Sequence, residues 1–286
     1  MDSPVAKAAG SADPLAGSSP RPAGTLSGLL TLEAIEEDEF RASGSPGDAA
    51  RLYGGQVAAQ ALVAAGNTAT GARPHSLHAY FLRPGDSSRP VLFRVDRLQD
   101  GRTFRRRRVT AIQQGQPILC LESSFTTDGS GADDYPGMPT VPGPDDCREL
   151  DTALFGPRPS PWALIEARIV PASPRAGAWS MWFRFRAEAL AEDVPAEAVI
   201  TYLSDLTLAG TTKRPTKRHP EGRPDVKRLT SLDHSVWFHG QPQLSGWLLY
   251  AKSAPTVGPQ RGLAMGQVFN RDGTLIATVA QEALLR

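Results

Sequence analysis

Residues Leu52–Asn67 read LYGGQVAAQALVAAGN, a stretch with no charge and no proline. Alanine is the strongest helix former, and apolar side chains occur here on every side of the projected helix. A helix of that kind must be wrapped by other elements, and the following sequence supplies the wrapping. "HSLHAYFLRPG" from His75, "RPVLFRVDRLQDG" from Arg89, "TFRRRRVTAIQQG" from Thr103 and "QPILCLESSFTT" from Gln116 all have strand character. Turn signals at Pro84-Gly85, Asp100-Gly101 and Gln114-Gly115 separate them. The expected unit is α+β, one buried helix followed by an antiparallel meander. Upstream, "LLTLEAI" from Leu29 reads as a further strand.

The plan then recurs. Strands "WALIEARIV" and "AWSMWFRFRAE" lead to a helix, "PAEAVITYLSDLTLAG", with Pro195 in its first turn and Gly210 at its end, and more strands follow. "HSLHAYF" at His75 and "HSVWFHG" at His234 lie 159 positions apart (234 minus 75), and the hairpin glycines Gly115 and Gly273 lie 158 apart (273 minus 115). Two matches at nearly one offset mark a duplication. The expected organisation is a disordered tail over 1–25, a first repeat over 26–127, a Gly/Pro/Asp-rich linker over 128–160 and a second repeat over 161–286.

Charge excludes some partners. Lys and Arg total 31 against 30 Asp and Glu, a net charge of +1, so the surface as a whole is not tuned to a polyanion. The run Arg105–Arg108 lies on a strand, where side chains alternate, so it forms no continuous cationic face. It reads as solvated, ion-paired sheet edge, with contact to a ligand phosphate as the sharper alternative; no aromatic residues are interleaved for base stacking. Nucleic acid is therefore not an expected partner. Two cysteines, Cys120 and Cys147, are too few for a disulfide framework, no window approaches the roughly 20 apolar residues of a membrane span, and the first residues lack the apolar core of a signal peptide. A cytoplasmic protein without a membrane association is expected.

No nucleophile elbow, phosphate loop or His-Glu-x-x-His motif occurs. His75 and His78 would face opposite ways on a strand, so no metal site and no cofactor is expected. The chemistry resides in polar residues at positions that should be buried. In "LIATVAQEALLR", Gln281 interrupts the apolar face formed by Leu275, Ala277, Val279, Ala283 and Leu285. Asp205 shares a helix side with Ala198 and Tyr202, and a carboxylate there needs hydrogen-bond donors. Ser231, Asp233 and Ser235 alternate onto one strand face, with His234 on the other. The first repeat has Ala72 and Ser123 where the second has Ser231 and Gln281, and its helix carries no carboxylate. A duplicated enzyme with one working site is the expectation.

The motifs "GGQVAAQAL", "HSLHAYFLRPGDSSRP", "SLDHSVWFH", "WLLYAKSAP" and "RGLAMGQVFNRDGTLIATVAQEALLR" together resemble the acyl-CoA thioesterase II family from about Leu29 to Arg286. The resemblance implies a double hot-dog fold, in which each sheet curls around a long helix and two such units form a pseudo-dimer. It also implies hydrolysis of fatty acyl-CoA, with the family's aspartate, hydroxyl and glutamine falling on Asp205, Ser231 and Gln281, and assembly as a homodimer or homotetramer. A water held by these groups would attack the thioester, and backbone N–H groups at Gly54-Gly55 would meet the oxyanion. The basic segment Thr211–Arg228 is either a solvated loop or, through Lys213 and Arg214, a contact for CoA phosphates. The competing readings are an enoyl-CoA hydratase or dehydratase using Asp205 and His234, and a non-catalytic acyl-CoA binding protein.

Overall fold

The computed structural model describes residues 25–44, 51–129, 134–152, 161–171, 178–190, 194–215 and 220–286. The expected tail lies almost wholly outside these residues, as do parts of the linker and of the basic segment.

The wrapped helix is α2, Gly54–Asn67. It is preceded by α1 (Leu26–Leu30) and by strands β1 (Glu33–Glu36) and β2 (Glu39–Ala42). The meander is β3 (Arg73–Phe81), β4 (Val91–Asp100), β5 (Phe104–Gln113) and β6 (Gln116–Thr126). Residues Leu29 and Leu30 are helical rather than extended, because the Thr25 hydroxyl accepts the Gly28 N–H and caps a turn that buries Leu26 and Leu30 one above the other. In α2, Val57, Leu62 and five alanines are buried. Full burial of a Val or Leu is worth about 1.5–3 kcal/mol, and alanines let sheet and neighbouring helix approach closely.

The second half of the chain contains β7 (Arg148–Glu149), β8 (Ile165–Ile169), β9 (Ala178–Phe185), α3 (Ala196–Ser204), β10 (Leu229–Ser231), β11 (Asp233–Phe238), β12 (Leu248–Val257), β13 (Arg261–Asn270) and β14 (Leu275–Leu285). The described strands form one antiparallel 14-stranded sheet in the order β1-β2-β4-β5-β6-β3-β11-β14-β13-β12-β9-β8-β7, with β10 beside β14. Read outward from the β3–β11 junction, the two halves have corresponding orders. At that junction Leu77 stands opposite Val236, Ser76 opposite Trp237 and His78 opposite Ser235. Leu77 and Val236 are themselves 159 apart, so the register of the junction reproduces the sequence offset. One hydrophobic core containing α2, α3 and both sets of strands runs through the molecule.

Part of the presumed linker is ordered against the second half. Trp182 Nε1 donates to the Pro142 carbonyl at 2.8 Å, β7 pairs with β8, and Tyr135, Met138 and Val141 pack on a cluster with Trp182, Trp247 and Phe269. The arginine run alternates as expected, but Arg107 is not solvated. Its buried guanidinium donates to the Thr68 hydroxyl and carbonyl, each at 2.8 Å, and to Asp100 at 2.5 Å. It thereby satisfies the C-terminal end of α2, where a cation also complements the helix dipole. Arg105 donates to the Thr70 carbonyl, and Arg108 pairs with Glu122.

Candidate active site

Helix α3 ends at Ser204, one turn earlier than the sequence pattern suggested, and Asp205 is its C-cap rather than an interior residue. The early ending is made possible by distant hydroxyls. Tyr53 donates to the Tyr202 carbonyl and Tyr250 to the Ser204 carbonyl, each at 2.7 Å, so helix-end carbonyls are satisfied without another turn. Burial and the nearby Asp205 push both phenols well above their usual range, which keeps them as protonated donors.

A carboxylate at a helix C-terminus faces the unfavourable end of that helix's dipole. The half-buried Asp205 is compensated by the N-terminus of α2: its Oδ2 accepts the Gly55 N–H at 2.8 Å. Oδ1 accepts from Gln281 Nε2 at 2.6 Å, and Gln281 is fully buried. The sequence-predicted aspartate and glutamine, 76 residues apart, therefore meet directly. The Gly55 N–H, assigned above to an oxyanion, is engaged by the carboxylate. Gly54, the first residue of α2, has an N–H that no carbonyl of its own helix can accept. Both glycines are needed sterically: a Cβ at Gly55 would stand 2.4 Å from the Tyr202 carbonyl oxygen, and one at Gly54 2.9 Å from Asp205 Oδ2.

Ser231 differs from its expected placement. Ser231 pairs with Ala283 and Ser235 with Ala280, so one strand advances four residues while its partner advances three. This is a β-bulge at Leu232 and Asp233, and the Asp233 carboxylate accepts the Glu282 N–H there at 2.7 Å. The extra residue puts Ser231 on the face of Ala283 and Gln281, with His234, and off the face of Asp233 and Ser235. His234 and Ser231 are thus not on opposite faces, yet they do not bond to each other. The fully buried His234 ring engages Ser204 Oγ through Nε2 at 2.8 Å, while Nδ1 has no partner among the described residues. Burial lowers its pKa, and attraction to Asp205 opposes that shift only in part.

Asp205, Ser231 and Gly54 line one cavity of about 610 Å³ between the halves. Apolar side chains, among them Val57, Phe81, Ile118 and Leu232, form much of its wall. His234 and Gln281 lie behind the wall. Ser231 makes no side-chain hydrogen bond to Asp205 among the described residues, and its hydroxyl is left for whatever enters the cavity. Sequence reasoning did not foresee Tyr53, Tyr250 or Ser204 as supports of the aspartate; their only signal was polarity at positions otherwise read as core. Lys213 and Arg214 do not line the cavity, and Arg214 instead stacks on the Trp179 ring, 3.9 Å from its centroid. Among the described residues no three His, Cys, Asp or Glu side chains converge as metal ligands, and no helix is long and apolar enough to cross a membrane.

A hot-dog protein with a carboxylate clamped at a helix start is the class that this fold and site define. Residues 43–127 match the model of the acyl-CoA thioesterase N-terminal domain and residues 133–285 that of the C-terminal domain. The chain is 36% identical to human acyl-coenzyme A thioesterase 8 over 283 residues, covering 90% of this chain and 88% of the relative. A crystal structure of an acyl-CoA thioesterase II from Mycobacterium marinum is 35% identical, with a TM-score of 0.78 over 91% of this chain and 97% of that one. A hot-dog protein from Alicyclobacillus acidocaldarius, at 21% identity and a TM-score of 0.71, covers 91% of this chain and 97% of its own; it shows the fold alone. The chain belongs to the acyl-CoA thioesterase family.

Proposed function

We propose that the protein hydrolyses fatty acyl-CoA to the free acid and CoA, with Asp205 as general base, and that its two repeats, 26–127 and 161–286, form a double hot-dog pseudo-dimer with one working site. The observation that carries the site assignment is the Asp205 carboxylate, fixed by Gln281 and by the start of α2 at the wall of an apolar cavity. Two donors hold the carboxylate without exhausting its lone pairs, so it can accept from a water oriented by the Ser231 hydroxyl. As the water oxygen bonds to the thioester carbon, Asp205 takes its proton and the carbonyl oxygen becomes an oxyanion beside the Gly54 N–H. Collapse breaks the C–S bond, and the proton passes from Asp205 to the departing thiolate. Homodimers or homotetramers of this unit are the expected assembly.

Asp205→Asn keeps the shape and removes the base. Thiol release from acyl-CoA should fall about 10²–10⁴-fold in kcat, with acyl-CoA binding retained; equal activity of variant and native protein would remove Asp205 from this role. Hydration of an enoyl thioester needs a second proton-transfer group facing the first. His234, the candidate for it, does not line the cavity, which favours hydrolysis.

A further inference from the structure

Two fully buried polar side chains behind the cavity wall, His234 and Gln281, each keep one polar atom without a partner. In β11 and β14, Val236 stands opposite Val279 and Ser235 opposite Ala280; continued by one residue, that register sets His234 opposite Gln281, just before the bulge. Val236 and Val279 are buried and lie two residues further along the same face, so His234 and Gln281 both point into the core. Directly opposed side chains on one face have Cβ atoms about 4.5–5.5 Å apart. Each reaches the end of α3 with one nitrogen: His234 Nε2 meets Ser204 Oγ at 2.8 Å, and Gln281 Nε2 donates to Asp205 Oδ1 at 2.6 Å. The remaining polar atoms, His234 Nδ1 and Gln281 Oε1, have no hydrogen-bond partner among the described residues.

A carboxamide turned end over end keeps its shape and exchanges its oxygen for its nitrogen. A turned Gln281 would set Oε1 against the Asp205 carboxylate, and a donor at Oε1 opposes that turn. Water commonly joins buried polar atoms that lack protein partners. Burial holds the His234 ring below its usual pKa, so at neutral pH the ring has one N–H and one lone pair. A single water suits either tautomer: it donates one proton to Oε1, and it either accepts from an Nδ1–H or donates its second proton to an Nδ1 lone pair.

Resting on the thioesterase reading, we propose that His234 is a positioning residue for the hydrolysis: through one buried water between its Nδ1 and Gln281 Oε1 it fixes the Gln281 amide, and through that amide the Asp205 carboxylate. His234 does not line the cavity, so it acts on the reaction only through Gln281. The competing role is structural, a support for Ser204 and nothing more.

Asparagine and glutamine separate the two ring nitrogens. Asn carries its amide at the level of Nδ1 and Gln at the level of Nε2, so His234→Asn keeps a polar group toward Gln281 and gives up Ser204, while His234→Gln does the reverse. In thiol-release assays, His234→Gln should lose about ten- to hundredfold in kcat, the range for one hydrogen bond to a charged group, with KM for acyl-CoA near native. His234→Asn should stay close to native in kcat. In a Gln281→Met background, adding His234→Gln should cost nothing more, because the group it acts through is gone. A larger loss in His234→Asn than in His234→Gln, or effects of His234→Gln and Gln281→Met that add, overturns the proposal. Nitrogen NMR of the histidine rings supplies a readout without turnover. The His234 Nδ1 signal, assigned by its disappearance in His234→Gln, should move in Gln281→Met while the Nε2 signal stays; an unmoved Nδ1 signal overturns the proposal as well. Native protein that releases no thiol but shows that NMR shift would refute the thioesterase reading and leave the link between His234 and Gln281 standing.

Discussion

Three glycines of α2 separate helix propensity from close packing. Gly→Ala in a helix interior is worth about 0.5–1 kcal/mol in favour of folding. At Gly66 the new methyl would meet nothing nearer than a Phe125 ring carbon at 3.9 Å, an ordinary contact, so that gain is realised. For a chain of this size it corresponds to a rise of about 1–2 °C in Tm. At Gly55 the same methyl would lie 2.4 Å from the Tyr202 carbonyl oxygen and 2.7 Å from the Tyr53 hydroxyl. The carbonyl belongs to helical backbone and cannot swing aside, so α2 must retreat from α3. Overpacking costs about 1–3 kcal/mol, which exceeds the propensity gain, and the retreat lengthens the Gly55 N–H bond to Asp205. Gly54→Ala meets side-chain atoms, Asp205 Oδ2 at 2.9 Å and the Phe81 ring at 3.1 Å. These can move, so the change should displace the carboxylate at small cost in stability. Thermal denaturation with thiol-release kinetics should therefore give three results: Gly66→Ala more stable with native kcat, Gly54→Ala near-native in Tm with reduced kcat, and Gly55→Ala reduced in both. Native Tm and kcat in Gly55→Ala would refute the claim that the approach of α2 to α3 positions the carboxylate.

Lys252 is buried, donates to the Thr207 hydroxyl at 2.6 Å, and sits 3.7 Å from the Trp179 ring centroid. Burial, with Arg214 adding to it, holds its pKa well below the usual lysine value, so folding is opposed at all pH below about 10.5 and the penalty fades as pH rises toward that value. Lys252→Met should raise Tm at pH 7 and flatten the alkaline rise in stability; a lower Tm would mean that the ammonium stays charged over the rings. His75, His234 and His239 all have pKa values lowered first by burial. The unfolded chain then binds protons that the folded one does not, so stability is complete above pH 6.5 and declines below it, by at most about 1.4 kcal/mol per pH unit for each histidine. Urea titrations between pH 7.5 and 5.5 should show that decline, reduced in His234→Gln; a flat profile would contradict the burial argument.

Much of the fold was legible because its signals are local. An uncharged alanine-rich stretch, four alternating runs and the glycine turns declare a wrapped helix and a meander, and the two His-Ser motifs fall on β3 and β11, the strands that pair with each other. The contact between Gln281 and Asp205 was inferable because a carboxamide and a carboxylate at otherwise apolar positions both require partners. What was not legible depends on distant atoms. The end of α3 is fixed by hydroxyls of Tyr53, in the other repeat, and Tyr250, three strands further on. The order of residues 134–152 comes from apolar contacts with Trp182 and Trp247 that no composition count weighs. The bulge at Leu232 escaped because a strand with one extra residue has the same composition as one without it.

That bulge makes the site a matter of parity. Along a regular strand, residues separated by an odd count look in opposite directions, so without the bulge Ser231 would turn away from the sheet face that carries His234, Gln281 and Ala283. One surplus residue converts odd to even. A single-codon deletion at Leu232 would reverse it, turning the hydroxyl outward while leaving Asp205 and Gln281 in contact.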